Sequence, residues 1–141
     1  MIAFSEGTST CKATKHDGYD VIVGGGTFTD FSSHPHILVK LNDRLSSTAA
    51  GRYQLLARYW DYYRNFLQLK DFSPASQDAI ALQQIKECRA LEDIEAGRFT
   101  SAVQKCARIW ASMPGANYGQ HENKIEALKT AYIKAGGAYV A

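Results

Sequence analysis

Proline and cysteine are both scarce in this chain of 141 residues, at three apiece. Cys11, Cys88 and Cys106 are odd in number and widely spaced, so they make neither a CxxC pair nor a complete disulfide framework, and free thiols are the expectation. Long apolar runs are missing too: nothing approaches the ~20 residues that span a bilayer, and Met1 to Phe4 is too short for the apolar core of a secretion signal. No export signal or stable membrane partner is therefore expected. An excess of one charge is also lacking. Sixteen Lys plus Arg against fourteen Asp plus Glu leave +2, too even to indicate nucleic-acid binding. Low-complexity tracts and repeats at solenoid spacing are absent, which excludes disordered and array architectures. At 45% hydrophobic, residues 1–141 match one ordinary globular domain that buries roughly two-thirds of its unfolded surface.

Strand signals come early. Tyr19 to Phe31 reads YDVIVGGGTFTDF, two short Val/Ile/Thr/Phe runs around three glycines, which predicts a hairpin. His34-Pro35-His36 interrupts the pattern, and HILVKLN supplies a third strand or an extended lip. From Thr48 the period turns helical: Leu56, Tyr59, Trp60, Tyr63 and Leu67 fall on one face. Ser73-Pro74 reads as N-cap and first residue of the next helix, whose Ala79-Ile80-Ala81-Leu82 covers every side of a turn and predicts a buried central helix. A short helix ends near Gly97. Phe99, Ala102, Val103, Cys106, Trp110 and Met113 predict one continuous helix, stopped by Pro114-Gly115, and Ile125, Leu128, Tyr132 and Ile133 predict a last one that stops at Gly136-Gly137. Strands followed by helices mean an α+β fold, with a cleft between a small β part and a helical part.

Familiar catalytic motifs are few. Gly24-Gly25-Gly26 is not GxGxxG and lacks the Lys-Ser/Thr of a phosphate loop, and the HENKI segment from His121 has no second histidine for a zincin helix. His34 and His36 straddle a proline without a Cys or acidic ligand at metal spacing, so a solvated loop is the commoner reading and no metal is assigned. No serine sits in a GxSxG elbow, and Cys88 and Cys106 lie on helical faces where buried structural cysteine prevails. Carboxylate chemistry remains. Glu6, in Ala3-Phe4-Ser5-Glu6-Gly7-Thr8, sits where a helix ends and the chain turns, and burial beside apolar neighbours would raise its pKa. Taken alone, an exposed glutamate near a chain terminus is the commoner reading.

Longer stretches alter that balance. FSEGT at 4 to 8, HDGYDVIVGG at 16 to 25, FTDFSSHP at 28 to 35, AGRYQLL at 50 to 56, LKDFSPASQDAIALQQIKE at 69 to 87 and IWASMPGANYGQ at 109 to 120 together resemble the bacteriophage lambda endolysin family, a branch of the lysozyme-like superfamily. The resemblance implies a lysozyme-like α+β fold, a small β-hairpin lobe and a helical lobe flanking a glycan-binding cleft. It places the family's catalytic glutamate at Glu6. The family is similar to soluble lytic transglycosylases, which cleave peptidoglycan between N-acetylmuramic acid and N-acetylglucosamine without an obligatory second carboxylate, leave 1,6-anhydromuramic ends and need no cofactor. Tyr53 and Gln54 would contact the glycan at the AGRYQLL motif, with the reading of Tyr53 as core left open, and Tyr118 would do so on a lower lip spanning 114 to 127, opposite an upper lip at 36 to 46.

Asp17, Asp20 and Asp30 could supply a second carboxylate; Asp20 is the leading candidate and a substrate contact, against a structural reading as a hydrogen-bonding residue at the hairpin start, and the bland reading of Asp17 and Asp30 is turn chemistry. If Asp20 acts, the enzyme is a hydrolytic muramidase. A catalytically silent glycan-binding module is the alternative outside enzymes, and a helical nucleic-acid binder is disfavoured. The partner implied is the peptidoglycan glycan strand, the simplest state is a monomer, and the location implied is the host cytoplasm until release to the cell wall at lysis. Only five residues precede Glu6, where the family carries a longer first helix. So short a helix is unstable alone, so packing must hold it or the chain begins late. CKATK around Cys11 also departs from the family pattern.

Overall fold

Elements of both kinds are short. In the protein's structure, a computed structural model describing residues 1–116 and 122–141, the described elements are helix α1 (Ile2–Ser5), strands β1 (Val39–Asn42) and β2 (Leu45–Ser47), and helices α2 (Ala57–Phe66), α3 (Pro74–Glu87), α4 (Leu91–Glu95), α5 (Phe99–Cys106) and α6 (Ile125–Lys134). The described chain divides into two units, Glu6–Ala81 and Met1–Ser5 with Leu82–Ala141, and α3 contributes residues to both.

In the first unit, β1 and β2 pair antiparallel as Val39↔Ser47 and Lys40↔Ser46, with an irregularity before Asn42↔Leu45. The hairpin expected over 19–31 does not form as a ladder. Val21 bridges Thr27 once, while Ile22 bridges Ala50 and the Val23 N–H donates to Ala49 O, so successive residues of the run find different partners and no strand extends. The regular hairpin lies instead at 39–47, overlapping the stretch expected as a third strand or upper lip. Helix α2 starts at Ala57 rather than near Thr48, because Gly51 (φ +84°) and Gln54 (φ +55°) are left-handed and cannot continue a right-handed helix. Thr48 contributes differently: its hydroxyl accepts the Ala57 N–H at 3.0 Å, satisfying a donor of the first turn. Trp60 and Tyr63 are buried, whereas Tyr59 of the same predicted stripe is 43% exposed. The core joins Phe28, Ala50, Leu55, Trp60, Tyr63, Phe72 and Ile80. Phe72 sits edge-on to Trp60 at 5.2 Å, a favoured aromatic geometry.

Helix α3 begins as its sequence predicts. Pro74 is its first residue and the Ser73 hydroxyl accepts the Ser76 N–H. Its buried residues, Ser76, Gln77, Ile80, Ala81, Gln84 and Cys88 just beyond its end, make one stripe, and Leu82 is 45% exposed. The helix is therefore amphipathic rather than buried on all sides, and half of its buried face is polar.

In the second unit, Phe99, Ala102, Val103 and Cys106 form the buried face of α5, and Leu128 is the fully buried residue of α6. The helix expected to run on to Met113 ends at Cys106. Ile109 N–H donates to Cys106 O and Met113 N–H to Trp110 O, so the chain continues in tight turns, and Pro114 disfavours helical geometry at Met113. Trp110 and Met113 are buried all the same. Periodicity located the apolar positions but not their backbone.

Candidate active site

Glu6 occupies the turn that follows α1 and is partly buried. Four helical residues cannot hold themselves. What fixes the chain before Glu6 lies in the second unit: the Ser5 hydroxyl is 2.7 Å from that of Ser112, and the Asn123 amide donates to Ser5 O at 2.9 Å, Ser5 Oγ at 3.2 Å and Ser112 O at 3.2 Å. On the other side of Glu6, in the first unit, Thr8 is 1% exposed and its hydroxyl donates to Arg52 O at 2.6 Å. Residues before and after Glu6 in the chain are thus each tied down within their own unit, and Thr8 joins the Glu6 turn to the 51–54 segment.

That segment is built around Gln77. Its Oε1 accepts the Arg52 N–H at 2.8 Å, and its Nε2 donates to Tyr19 O at 3.1 Å and Phe72 O at 2.9 Å. A 97%-buried amide is thereby satisfied while it pins three segments of chain, since Gln77 is only 3% exposed. A Cβ on Gly51 would lie 2.4 Å from Gln77 Oε1, so only glycine permits this approach. Next along α3, Asp78 Oδ1 accepts both the Tyr19 hydroxyl at 2.8 Å and the Tyr53 hydroxyl at 2.7 Å. Burial first, and then the Asp78 carboxylate, push both phenols above the ordinary tyrosine range. Tyr53 is therefore a half-buried ring with its hydroxyl turned to a carboxylate and is absent from the hydrophobic core cluster. Arg52 lies 5.2 Å from the Tyr19 ring centroid and pairs with Asp17 Oδ2 at 2.8 Å. The Gln54 amide nitrogen is turned inward, donating to Gly51 O at 2.9 Å and Val21 O at 3.2 Å.

Asp20 is 2% exposed, and both of its oxygens are engaged: the Thr14 hydroxyl donates to Oδ1, and the Lys15 N–H to Oδ2 at 3.0 Å. Burial alone would raise its pKa, but these bonds outweigh it and hold the carboxyl below the usual range. Asp30 accepts the Ser32 N–H at 2.9 Å in an exposed turn. His34 is not in a solvated loop. It is 3% exposed, its Nδ1 accepts the His36 N–H at 3.0 Å, and Nε2 therefore carries the proton that it donates to Leu55 O at 2.8 Å. Burial lowers its pKa, so it stands as a neutral structural imidazole. Among the described residues no cluster of three metal-ligating side chains occurs. Tyr118 lies outside the described residues.

The structure thus joins Thr8, Arg52 and Tyr53 to Gln77 and Asp78, while the Gln54 amide bonds to Gly51 and Val21 and the Asp20 carboxylate bonds to Thr14 and Lys15. Those two helix residues were not singled out from sequence, although a glutamine on the buried stripe of a predicted helix, as Gln77 is, makes a usable signal.

The fold recurs in solved proteins. A structure of bacteriophage lambda lysozyme complexed with a chitohexasaccharide superposes with a TM-score of 0.96 at 56% identity, covering 99% of this chain and 91% of that one. A second structure of lysozyme from bacteriophage lambda gives 0.91 at 55% identity, with the same coverage. The fold is lysozyme-like α+β. In sequence, the endolysin of Escherichia phage lambda is 58% identical over 138 residues, 97% of this chain and 87% of that protein, and the endolysin of Escherichia phage P2 is 50% identical over 147 residues, 97% and 89% respectively. The Endolysin family model matches residues 1–139, and the chain belongs to that family.

Proposed function

We propose that this protein is a peptidoglycan-cleaving endolysin, a lytic transglycosylase in which Glu6 is the general acid and the glycan supplies its own nucleophile. Glu6 protonates the oxygen of the β-1,4 bond between N-acetylmuramic acid and N-acetylglucosamine, and the bond from that oxygen to C1 breaks. The muramic N-acetyl group steadies the positive centre. Glu6, now ionised, takes the proton of the same sugar's C6 hydroxyl as that oxygen bonds to C1, which returns Glu6 to its starting form and leaves a 1,6-anhydro end without consuming water. Because both reacting atoms belong to one sugar, the closing step is effectively unimolecular. Tyr53 would offer its ring to a sugar, Gln54 its side-chain carbonyl to an N–H or hydroxyl, and Tyr118 a further contact.

One observation carries the single-acid form. Asp20, the candidate second carboxylate, has both oxygens taken by Thr14 and Lys15 and is 2% exposed. A nucleophilic carboxylate at about 5–5.5 Å from the acid, or a base at about 6.5–9.5 Å, needs an oxygen turned to the sugar. Asp20 would have to give up an internal bond to serve. Family membership and a chitohexasaccharide bound to a structural neighbour support glycan as substrate. In this reading residues 1–141 act as one catalytic domain, a monomer in the host cytoplasm until a separate phage pore protein releases it to the wall.

The reading is tested by release of soluble fragments from purified peptidoglycan. Glu6→Gln should lower the rate about 10²–10⁴-fold, as loss of general acid catalysis does. Cleavage that survives the substitution overturns it.

A further inference from the structure

We infer that Asp78 is a positioning residue for carbohydrate, which fixes Tyr19 and Tyr53 as a paired saccharide contact. The inference rests on the glycan-cleaving reading above. The two rings meet at 88° with centroids 6.3 Å apart, and both hydroxyls end on the same atom, Asp78 Oδ1, at 2.8 and 2.7 Å. A surface phenol is otherwise free to rotate. Two charge-assisted bonds to one oxygen remove that freedom from both rings together.

The anchor is itself rigid. Asp78 lies in α3 next to Gln77, whose bonds to Arg52, Tyr19 and Phe72 hold the helix against the very segments that carry the two tyrosines. Arg52, paired with Asp17, backs the Tyr19 ring. Asp78 is exposed and contributes nothing to the apolar core, so stability of the core does not explain the arrangement. Ligand chemistry does. The two phenols also bond each other, so both rings are held as one unit and offer aromatic surface to the C–H face of a sugar. Aromatic surface of this kind suits a neutral glycan, whose rings present C–H faces. Burial and the Asp78 carboxylate raise both phenol pKa values, which keeps the hydroxyls protonated and able to donate to Asp78.

Asp78→Asn keeps the size of the side chain, so the fold survives, but takes the charge from the oxygen that accepts both hydroxyls and so weakens both bonds. In the full chain it should weaken binding of chitohexaose about tenfold, and raise KM on peptidoglycan by a similar factor rather than lower kcat. The Tyr19→Phe/Tyr53→Phe double variant should show the same loss, with Asp78→Asn adding nothing to it, as expected when the carboxylate acts through the hydroxyls. Chitohexaose affinity unchanged in Asp78→Asn overturns the inference, even if melting temperature falls, and so does full additivity with the tyrosine variants. A wild type that binds chitohexaose without cleaving peptidoglycan defeats the cleavage reading while the binding comparison still decides Asp78. A wild type that neither binds nor cleaves defeats both.

Discussion

Replacing Gly51 by alanine should destabilise the protein by two separable effects. At φ +84° an L-residue pays about 1–2 kcal/mol for left-handed geometry. The new Cβ would also sit 2.4 Å from Gln77 Oε1, 2.9 Å from its Cδ and 3.1 Å from Phe72 Cζ. Gln77 is 3% exposed and cannot retreat without releasing the Arg52 N–H it holds at 2.8 Å. An unsatisfied buried amide group adds about 1–3 kcal/mol. Together the loss is about 2–5 kcal/mol, or roughly 6–15 °C in melting temperature at about 3 °C per kcal/mol for a chain of this size. Gly25→Ala separates the two effects, since Gly25 has φ +93° and nothing within 4 Å of a Cβ, so it should lose only about 1–2 kcal/mol. Urea unfolding of both variants measures the difference. Equal losses at the two positions would refute the argument that Gln77 is the obstacle.

Three further expectations concern other groups. Asn123→Ala removes the amide bonded to Ser5 and Ser112 beside the Glu6 turn, and should lower kcat on peptidoglycan more than it lowers affinity for chitohexaose. His34 has a pKa depressed by burial below its unfolded value of about 6.5, so the unfolded chain binds its proton first and stability falls as pH drops through that value, levelling once the folded pKa is passed. Urea midpoints between pH 8 and about 5 should show that slope, and His34→Gln, whatever its overall stability, should lose it. Asp93 is 3% exposed and bonds Lys105 at 2.6 Å, Ser101 at 2.7 Å and Arg98 at 2.7 Å, and these partners hold its carboxyl well below the usual range. Its contribution is complete above the unfolded pKa of about 3.9 and is lost as pH falls through the lower folded value, so Asp93→Asn should flatten the acid side of the stability curve. An acid limb that keeps the wild-type slope in the variant contradicts that assignment.

Much of the helical part is legible in sequence, because caps and stops are local. Ser73-Pro74 opens α3, Gly97 follows α4, and α6 ends shortly before Gly136. The β part is less so. Val21, Ile22 and Val23 carry strand chemistry, but their hydrogen bonds go to Gly18, Gly26 and Ala49, and no period encodes a choice among such partners. The same limit applies at the site. Glu6 stands out through the family's motif, and Tyr53 and Gln54 through theirs, whereas Gln77 and Asp78 look like ordinary polar residues on a helix until the fold places Arg52, Tyr19 and Tyr53 against them. Asp20 is a related case. Its burial depends on Thr14 and Lys15, which come from a loop without periodicity. For His34 the want of a third metal ligand in sequence favours a solvated loop, yet its ring is closed in by Leu55, Phe72 and His36.

The measurement closest to the central claim is mass spectrometry of purified peptidoglycan digested by the wild type in heavy-oxygen water, with Glu6→Gln alongside. The expected products end in 1,6-anhydromuramic acid, one water lighter than reducing ends and carrying no solvent oxygen, and are missing with Glu6→Gln. Reducing ends labelled with solvent oxygen would contradict the single-acid mechanism and turn attention to Asp20 as a carboxylate that leaves its internal bonds during the reaction.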